Sequence, residues 1–252
     1  MRNPWAMKME QYTAFSDEER RMLDDLVSKR QMSHAPREDI IREGTHSPDC
    51  HVILSGLACR YTILPDGSRQ IMAFLVPGDL CDAEIFILDE MDHSVGALTQ
   101  TTTALISGDT MRKLLHIGRV AEALWWGTMT DLGVLRERIV DHGRRDARTR
   151  IAHLLYELLV RYRVAGATSD DTLDFPITQA ELADATGMTT VHANRVLQSL
   201  RDDGLITLRD RTLTILEPER LKELAGFNAR YLHLQRAHDR RDGIADRVGD
   251  RV

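Results

Sequence analysis

Between Thr178 and Ile206 the chain reads TQAELADATGMTTVHANRVLQSLRDDGLI, and few folds accept residues in that order. Thr178 and Thr189 both stand where a hydroxyl caps a helix. Gly187 between them supplies the left-handed conformation that a sharp turn after a helix demands. The spacing predicts one helix over 179–186 and a second over 190–202. Ala183 is small enough to let the two cross closely, which is helix-turn-helix spacing. At 100° per residue, Ala193, Val196, Leu197 and Leu200 share one face of the second helix. Val191, Asn194, Arg195 and Gln198 share the opposite face. The following GLITLRDRTLTI, 204–215, alternates as two strands around Arg209–Arg211, the pattern of a wing.

The rest of the chain limits what this unit is attached to. Its 252 residues, 42% hydrophobic and 29% charged, suit one large domain or two modest ones, and not a disordered chain. The longest clean apolar run is Ile71–Val76, far short of the roughly 20 residues of a membrane span, so no membrane association is expected. The N-terminus lacks the apolar core of a secretory signal, which leads to a cytoplasmic expectation. Three cysteines, Cys50, Cys59 and Cys81, with no CxxC, fit a reduced compartment better than a disulfide scaffold. Net charge is −6. It resides in residues 1–141, with 15 basic against 22 acidic side chains, whereas residues 142–252 hold 18 against 17. The C-terminal half therefore permits contact with a polyanion without demonstrating it.

Ahead of the helical hairpin the hydrophobic period changes twice. SDEERRMLDDLVSKR, 16–30, reads as a helix with Ser16 and Glu19 as a capping pair. From about 34 to 115 short β-rich runs (DIIREG, CHVILSGLACRYTIL, SRQIMAFLV, TALIS) are divided by turn residues, with a hairpin expected at Pro65–Gly67. Such strands suggest a sandwich or jelly roll. Residues 117–142 read as one long helix in which Ala121, Trp125, Thr128, Leu132, Leu135 and Ile139 are spaced 4, 3, 4, 3, 4. That is a coiled-coil seam, and so a candidate dimer interface. The bland alternative is a helix buried against its own domain. HGRRDARTRI, 142–151, is the expected boundary, with Gly143 stopping the long helix and Asp146 capping the next, which buries Ile151, Leu154, Leu155, Leu158 and Leu159. A polar loop is expected at 166–174. After the wing, EPERLKELAG reads as a capped helix, with Phe227, Tyr231 and Leu234 on a stripe beyond it and fraying after about His238.

On these residues the chain resembles the Crp/Fnr superfamily of bacterial transcription regulators over about residues 10–220. The motifs that carry the likeness are LSGLACRY, LPDGSRQIMAFLVPGDL, SVGALT and DARTRIAHLL, followed by the helical hairpin and wing. The resemblance implies an α+β fold. An effector β-roll like a cyclic-nucleotide-binding jelly roll, with its N-terminal helix, spans 1–116, and a dimerisation helix spans 117–142. A winged helix-turn-helix spans 146–217 and a C-terminal extension 218–252. It also implies a homodimer that binds an inverted repeat in double-stranded DNA, with RNA polymerase as a possible partner. Many members present Glu, Ser and Arg where Val191, Asn194 and Arg195 stand here. Base reading is therefore expected from Thr190, Val191, Asn194 and Arg195, and backbone contact from Thr178, Gln179, Thr189, His192, Gln198, Arg209 and Arg211.

The sensor half departs from the family's nucleotide binders. Their Gly-Glu pair after the PGD turn is Asp82-Ala83 here, Glu84 stands one residue late, and their Arg-Ser/Thr pair is His93-Ser94. The ribose acceptor and the phosphate cation are both missing, which argues against cyclic AMP or cyclic GMP. The N-terminal cysteine cluster of the family's oxygen sensors is also absent. The three cysteines read as buried packing and the scattered histidines His34, His46 and His93 as non-ligands, so no resident cofactor or metal is expected. The alternative function is an effector-binding or redox-sensing protein that acts through protein partners. An enzyme is disfavoured, because no nucleophile–base cluster or phosphate loop stands in the sequence.

Overall fold

A computed structural model describes residues 3–82 and 87–234. The chain opens with α1 (Pro4–Met9), capped by the Asn3 side chain, and α2 (Asp17–Lys29), where Ser16 and Glu19 form the expected capping box. The strands β1 (Gln31–His34), β2 (Asp39–Ile41), β3 (Asp49–Ser55), β4 (Ala58–Ile63), β5 (Arg69–Leu75), β6 (Ser94–Ala97) and β7 (Thr101–Ser107) follow. They form a three-stranded antiparallel sheet, β1-β7-β3, and a four-stranded one, β2-β6-β4-β5. The Pro65–Gly67 hairpin joins β4 to β5, with Gly67 at φ +82°. Ile41, Ile53, Ala58, Leu75, Cys81, Met91 and Val95 pack between the sheets. The other face of β3 and β7, through Cys50, Val52, Ala104 and Ile106, packs under a helical layer.

That layer contains α1, α2, α3 (Gly108–Leu114) and the start of the long helix α4 (Gly118–Gly143). The inward face of α4 is buried at Val120, Ala123, Leu124 and Val134. The seam residues lie on another face. Trp125 is 64% exposed and Ile139 73%, Leu132 and Leu135 are also exposed, and Ala121 and Thr128 are half-buried. Packing among the described residues therefore leaves most of the 3.5-residue stripe uncovered.

Several sequence expectations need correction. The helix α1, the strands β1 and β6, and α3 were not anticipated. Gly143 is still helical, as the last residue of α4, and Arg144 is the C-cap. The expected polar loop 166–174 contains a strand, β8 (Thr172–Asp174), because β10 pairs with it. The stripe after Gly226 is not a continuing helix but a 3₁₀ turn, Ala229–Leu232, capped by Asn228. The fraying expected after His238, and the positions Ala83 and Glu84, lie outside the described residues.

The C-terminal unit comprises α5 (Ala147–Val164), β8, α6 (Gln179–Thr186), α7 (Thr190–Asp202), the wing strands β9 (Ile206–Arg209) and β10 (Thr212–Ile215), and α8 (Pro218–Ala225). Asp146 caps α5 as expected. One apolar core joins this unit to the roll: Leu57, Cys59, Ile71, Phe74 and Val76 pack with the buried faces of α5, α6 and α7. Polar contacts add to it, with Arg69 Nε donating to Asp184 Oδ2 at 2.9 Å and Gln70 Nε2 donating to Asp184 O at 2.8 Å. After α8 the chain crosses back to α4. The carbonyl oxygen of Tyr231 approaches Gly133 so closely that a Cβ there would lie 2.5 Å from it. His233 lies against Trp126, with ring centroids 5.2 Å apart.

The junction of α4 and α5 encloses His153, which is fully buried. Neither ring nitrogen has a hydrogen-bond partner. Nε2 lies 3.7 Å from Glu137 and Nδ1 3.8 Å from Asp141, and Phe227 and Tyr231 cover the ring. Burial holds its pKa below the ordinary histidine value, against the pull of Asp141 and Glu157 and with the repulsion of Arg145 and Arg138. The folded state thus resists a proton that the unfolded chain accepts near pH 6.5. Stability is full above that value and is lost as pH falls below it. His34 and His142 are shifted down for the same first reason and act in the same direction. The melting temperature is expected to fall between about pH 7 and 5, and His153→Phe should flatten part of that slope. Identical slopes for the two proteins in a pH series of thermal melts would remove His153 from the account.

Candidate nucleic-acid interface

The helical hairpin forms where its caps place it. Thr178 accepts from Glu181 N while Glu181 bonds back to Thr178 N, a complete capping box. Gly187 ends α6 at φ +64° and ψ +36°. Thr189 accepts from His192 N and starts α7. Ala193, Val196, Leu197 and Leu200 are buried beneath α7. Thr190, Val191, His192, Asn194, Arg195 and Gln198 all stand in solvent. Val191 is 70% exposed, an apolar side chain that this fold does not use for packing. The predicted division of α7 into a packed and an open face is the one observed.

The polar groups on the open face differ in how far they are committed. Among the described residues Arg195 makes no hydrogen bond or ion pair, so its guanidinium donors remain available. Asn194 Oδ1 accepts from Gln179 Nε2 at 3.1 Å, which links the start of α6 to the middle of α7. The Asn194 amide is left to donate outward. Gln198 is engaged along its own helix, donating to Asp202 and accepting from Arg201. The hydroxyl oxygens of Thr178 and Thr189 accept their cap bonds and keep a proton to donate. At the wing tip Asp210 and Arg211 take φ of +49° and +61°, a tight two-residue turn of the kind that suits a hairpin. It leaves Arg209 and Arg211 exposed.

Sequence reasoning treated the arginines of RRDARTR as a boundary and missed their bracing role. Arg150 donates to Thr186 O and to Arg145 O, holding the end of α6 to the α4–α5 link. Arg148 bonds Ser199 and Asp203 at the far end of α7. The one available signal was their clustering, because the partners on α6 and α7 lie 36 or more residues away.

The sensor positions form no nucleotide cradle among the described residues. The Asp82 carboxylate is fully buried and turns into the roll, accepting from His51 N at 2.8 Å with its other oxygen 3.1 Å from His51 Nδ1. Burial raises its pKa above the usual carboxylate range despite His51. His93 Nδ1 pairs with Asp92, and Ser94 Oγ accepts from Glu43 N. Cys50, Cys59 and Cys81 are buried and form no disulfide with one another. Burial pushes Cys59 up to about 12 and Cys81 well above its ordinary value, which denies both the reactive thiolate form. Among the described residues no group of three or more His, Cys, Asp or Glu is placed to hold a metal ion, and no helix is long and apolar enough to cross a membrane.

A β-roll, a long helix with an open apolar stripe and a winged helix-turn-helix with an open polar face define a DNA-binding transcription regulator. The comparisons agree. A family model described as a cyclic nucleotide-binding domain matches residues 31–117, and one described as a Crp-like helix-turn-helix domain matches 149–224. The nitrogen fixation regulation protein FixK of Rhizobium meliloti (strain 1021) is 30% identical over 195 residues, covering 76% of this chain and 85% of that protein. The transcriptional activator protein FnrL of Cereibacter sphaeroides is 27% identical over 206 residues, with coverages of 77% and 79%. Among solved structures, FixK2 from Bradyrhizobium japonicum superposes with a TM-score of 0.70 at 24% identity, over 79% of this chain and 98% of that one. The chain belongs to the Crp/Fnr family. These relatives are transcription regulators, not enzymes.

Proposed function

We propose that the chain acts in the cytoplasm as a homodimer on an inverted-repeat site, read by a Val-His-x-Asn-Arg recognition helix. It responds to neither cyclic AMP nor cyclic GMP. The observation that carries the reading is the open face of α7, where uncommitted Arg195 stands beside exposed Val191 and Asn194. Arg195 donates two bonds to guanine O6 and N7, Val191 packs on a thymine methyl, and Asn194 pairs with adenine, with Thr190 beside them. Thr178, Gln179, Thr189, His192, Gln198, Arg209 and Arg211 hold phosphates and set the register. The division is that of an effector roll at 1–116, a dimer helix at 117–142, a DNA-binding unit at 146–217 and an extension from 218. RNA polymerase is the downstream partner, in keeping with the activator names among the relatives. The bonds that Asp82 and Ser94 make inside the protein support the cyclic-nucleotide reading. Micromolar cyclic AMP binding in a calorimetric titration would overturn it. The rival reading, redox signalling through protein partners, is weakened by the three buried thiols.

Selection from random duplexes tests the base contacts. Each half-site is expected to contain a guanine opposite Arg195. Arg195→Ala should cost about 1–3 kcal/mol there and relax that position alone. Val191→Glu adds an acceptor and should move one neighbouring pair from thymine toward cytosine. Arg211→Ala should weaken all sequences alike and lower the salt slope by about one unit. An unchanged motif for Val191→Glu together with an altered one for Arg211→Ala would show that the reading face is misassigned.

A further inference from the structure

The helical layer outside the roll lines a cavity of about 280 Å³ that opens to solvent past Trp125 and Ile87. It lies between α1, the turn after β5, α3 and α4, and its walls are Trp5, Met9, Leu80, Met111, Leu124 and Trp125. Its volume is nearly twice the ~150 Å³ of a dry cavity that takes up benzene. It is separate from the interior of the roll, where His51 and Asp82 pair.

The polar groups at its edge already have partners. Lys8 Nζ donates to Asp79 Oδ1 at 2.6 Å, Tyr12 Oη bonds Thr130 Oγ1 at 3.0 Å, and Thr128 Oγ1 donates to Leu124 O at 3.2 Å. Asp131 accepts from Arg60 at 2.9 Å. The walls therefore offer an occupant apolar contact and no vacant charge. Gly127 supplies an independent observation. It lies inside the 26-residue helix α4 and lines the cavity, yet a Cβ there would meet nothing within 4 Å. The fold does not need the missing side chain, and a mid-helix glycine costs roughly 0.5–1 kcal/mol relative to alanine.

We infer that this cavity binds a small uncharged aromatic or branched aliphatic molecule of roughly eleven non-hydrogen atoms, scaled from the benzene-sized void. The mouth is apolar as well, with Ile87 74% exposed beside Trp125. Trp125 and Thr128 belong both to the cavity wall and to the seam, so an occupant lies at the edge of the proposed dimer contact.

The test uses the full-length protein and three probes: 2-naphthol, the smaller phenol, and the charged 2-naphthoate. 2-Naphthol is expected to saturate one site per protomer below about 1 mM, to change the emission of Trp5 and Trp125, and to raise the melting temperature. Phenol and 2-naphthoate should each bind at least about tenfold more weakly. Gly127→Ala should keep binding, whereas Gly127→Leu, and Gly127→Met with its more adaptable side chain, should weaken it at least about tenfold in a protein that melts no lower than wild type. No saturation by 2-naphthol would overturn the inference, as would equal binding to the leucine and methionine variants. Binding seen only in a monomeric variant would overturn it too, because the second copy would then be the occupant. None of these readouts involves DNA, so they stand apart from the proposed base contacts.

Discussion

Replacing Leu132 and Leu135 together by aspartate is expected to leave a folded monomer without specific DNA binding. Both side chains are exposed in the protomer, and exposed substitutions away from special features usually stay within about ±0.5 kcal/mol. The cost arises on association. Two helices meeting along the 121–139 seam would bring four carboxylates together in a desolvated contact, at several kcal/mol each. A monomer then meets a single half-site. Specific sites are held about 10³-fold or more tighter than random DNA, and most of that margin should vanish. Sedimentation equilibrium should show half the wild-type mass, and a gel shift on the inverted repeat should show a loss on the order of 10³. A variant that still dimerises, or a wild type that is monomeric on its site, would place the interface elsewhere.

The parts of the fold that were legible in the sequence are those in which local chemistry and global structure agree. Thr178, Glu181, Gly187 and Thr189 each fix a backbone atom within four residues of themselves, so the helical hairpin could be placed to the residue. The seam on α4 was visible because a 3.5-residue repeat over five spacings rarely arises otherwise. What stayed hidden depended on distant partners or on very short length. β6 is four residues, all buried, and shows no alternation. β8 exists because β10 pairs with it from 38 or more residues away. α1 has only six residues, too few for a helical period to register. Asp82 was recognised as wrong for a nucleotide, but its bond to His51 is made across 31 residues of sequence. The cavity beside Gly127 was equally invisible, because a void is a property of packing and not of any one segment. Phe227 and Tyr231 were placed on a common stripe, yet Gly226 and Asn228 break the helix that such a stripe needs.

Glu157→Ala is expected to be the most destabilising single change near the junction of the two units. Eight side chains form one alternating chain of ion pairs: Lys8, Asp79, Arg161, Glu157, Arg138, Asp141, Arg145 and Glu137. It begins on α1, passes the turn after β5, crosses α5 and ends on α4 and the link to α5. The order alternates base and acid throughout, so the four positive and four negative charges balance. Glu157 is fully buried in the middle, 2.7 Å from Arg138 and 3.4 Å from Arg161, and accepts from Tyr231 Oη at 2.7 Å. Burial alone would raise its pKa, but Arg138 and Arg161 outweigh that and hold the carboxyl below its ordinary range. Its contribution is therefore complete above the unfolded value near 4.3 and is lost as pH falls through the folded value. Removing it leaves a buried positive excess and an unpaired tyrosine hydroxyl, a change that typically costs about 3–5 kcal/mol. For a chain of this length that corresponds to a melting temperature lower by roughly 6–20 °C. The cost should come from the orphaned charge more than from the lost pair. Glu157→Leu combined with Arg138→Met, which replaces both partners by apolar groups, should then recover much of the loss. Thermal and urea unfolding of the two single variants and the double variant separates these cases. A Glu157→Ala protein within about 0.5 kcal/mol of wild type would show that water or a rearranged Arg138 already neutralises the site, and a double variant no better than the worse single one would show that the pair itself holds the two units together.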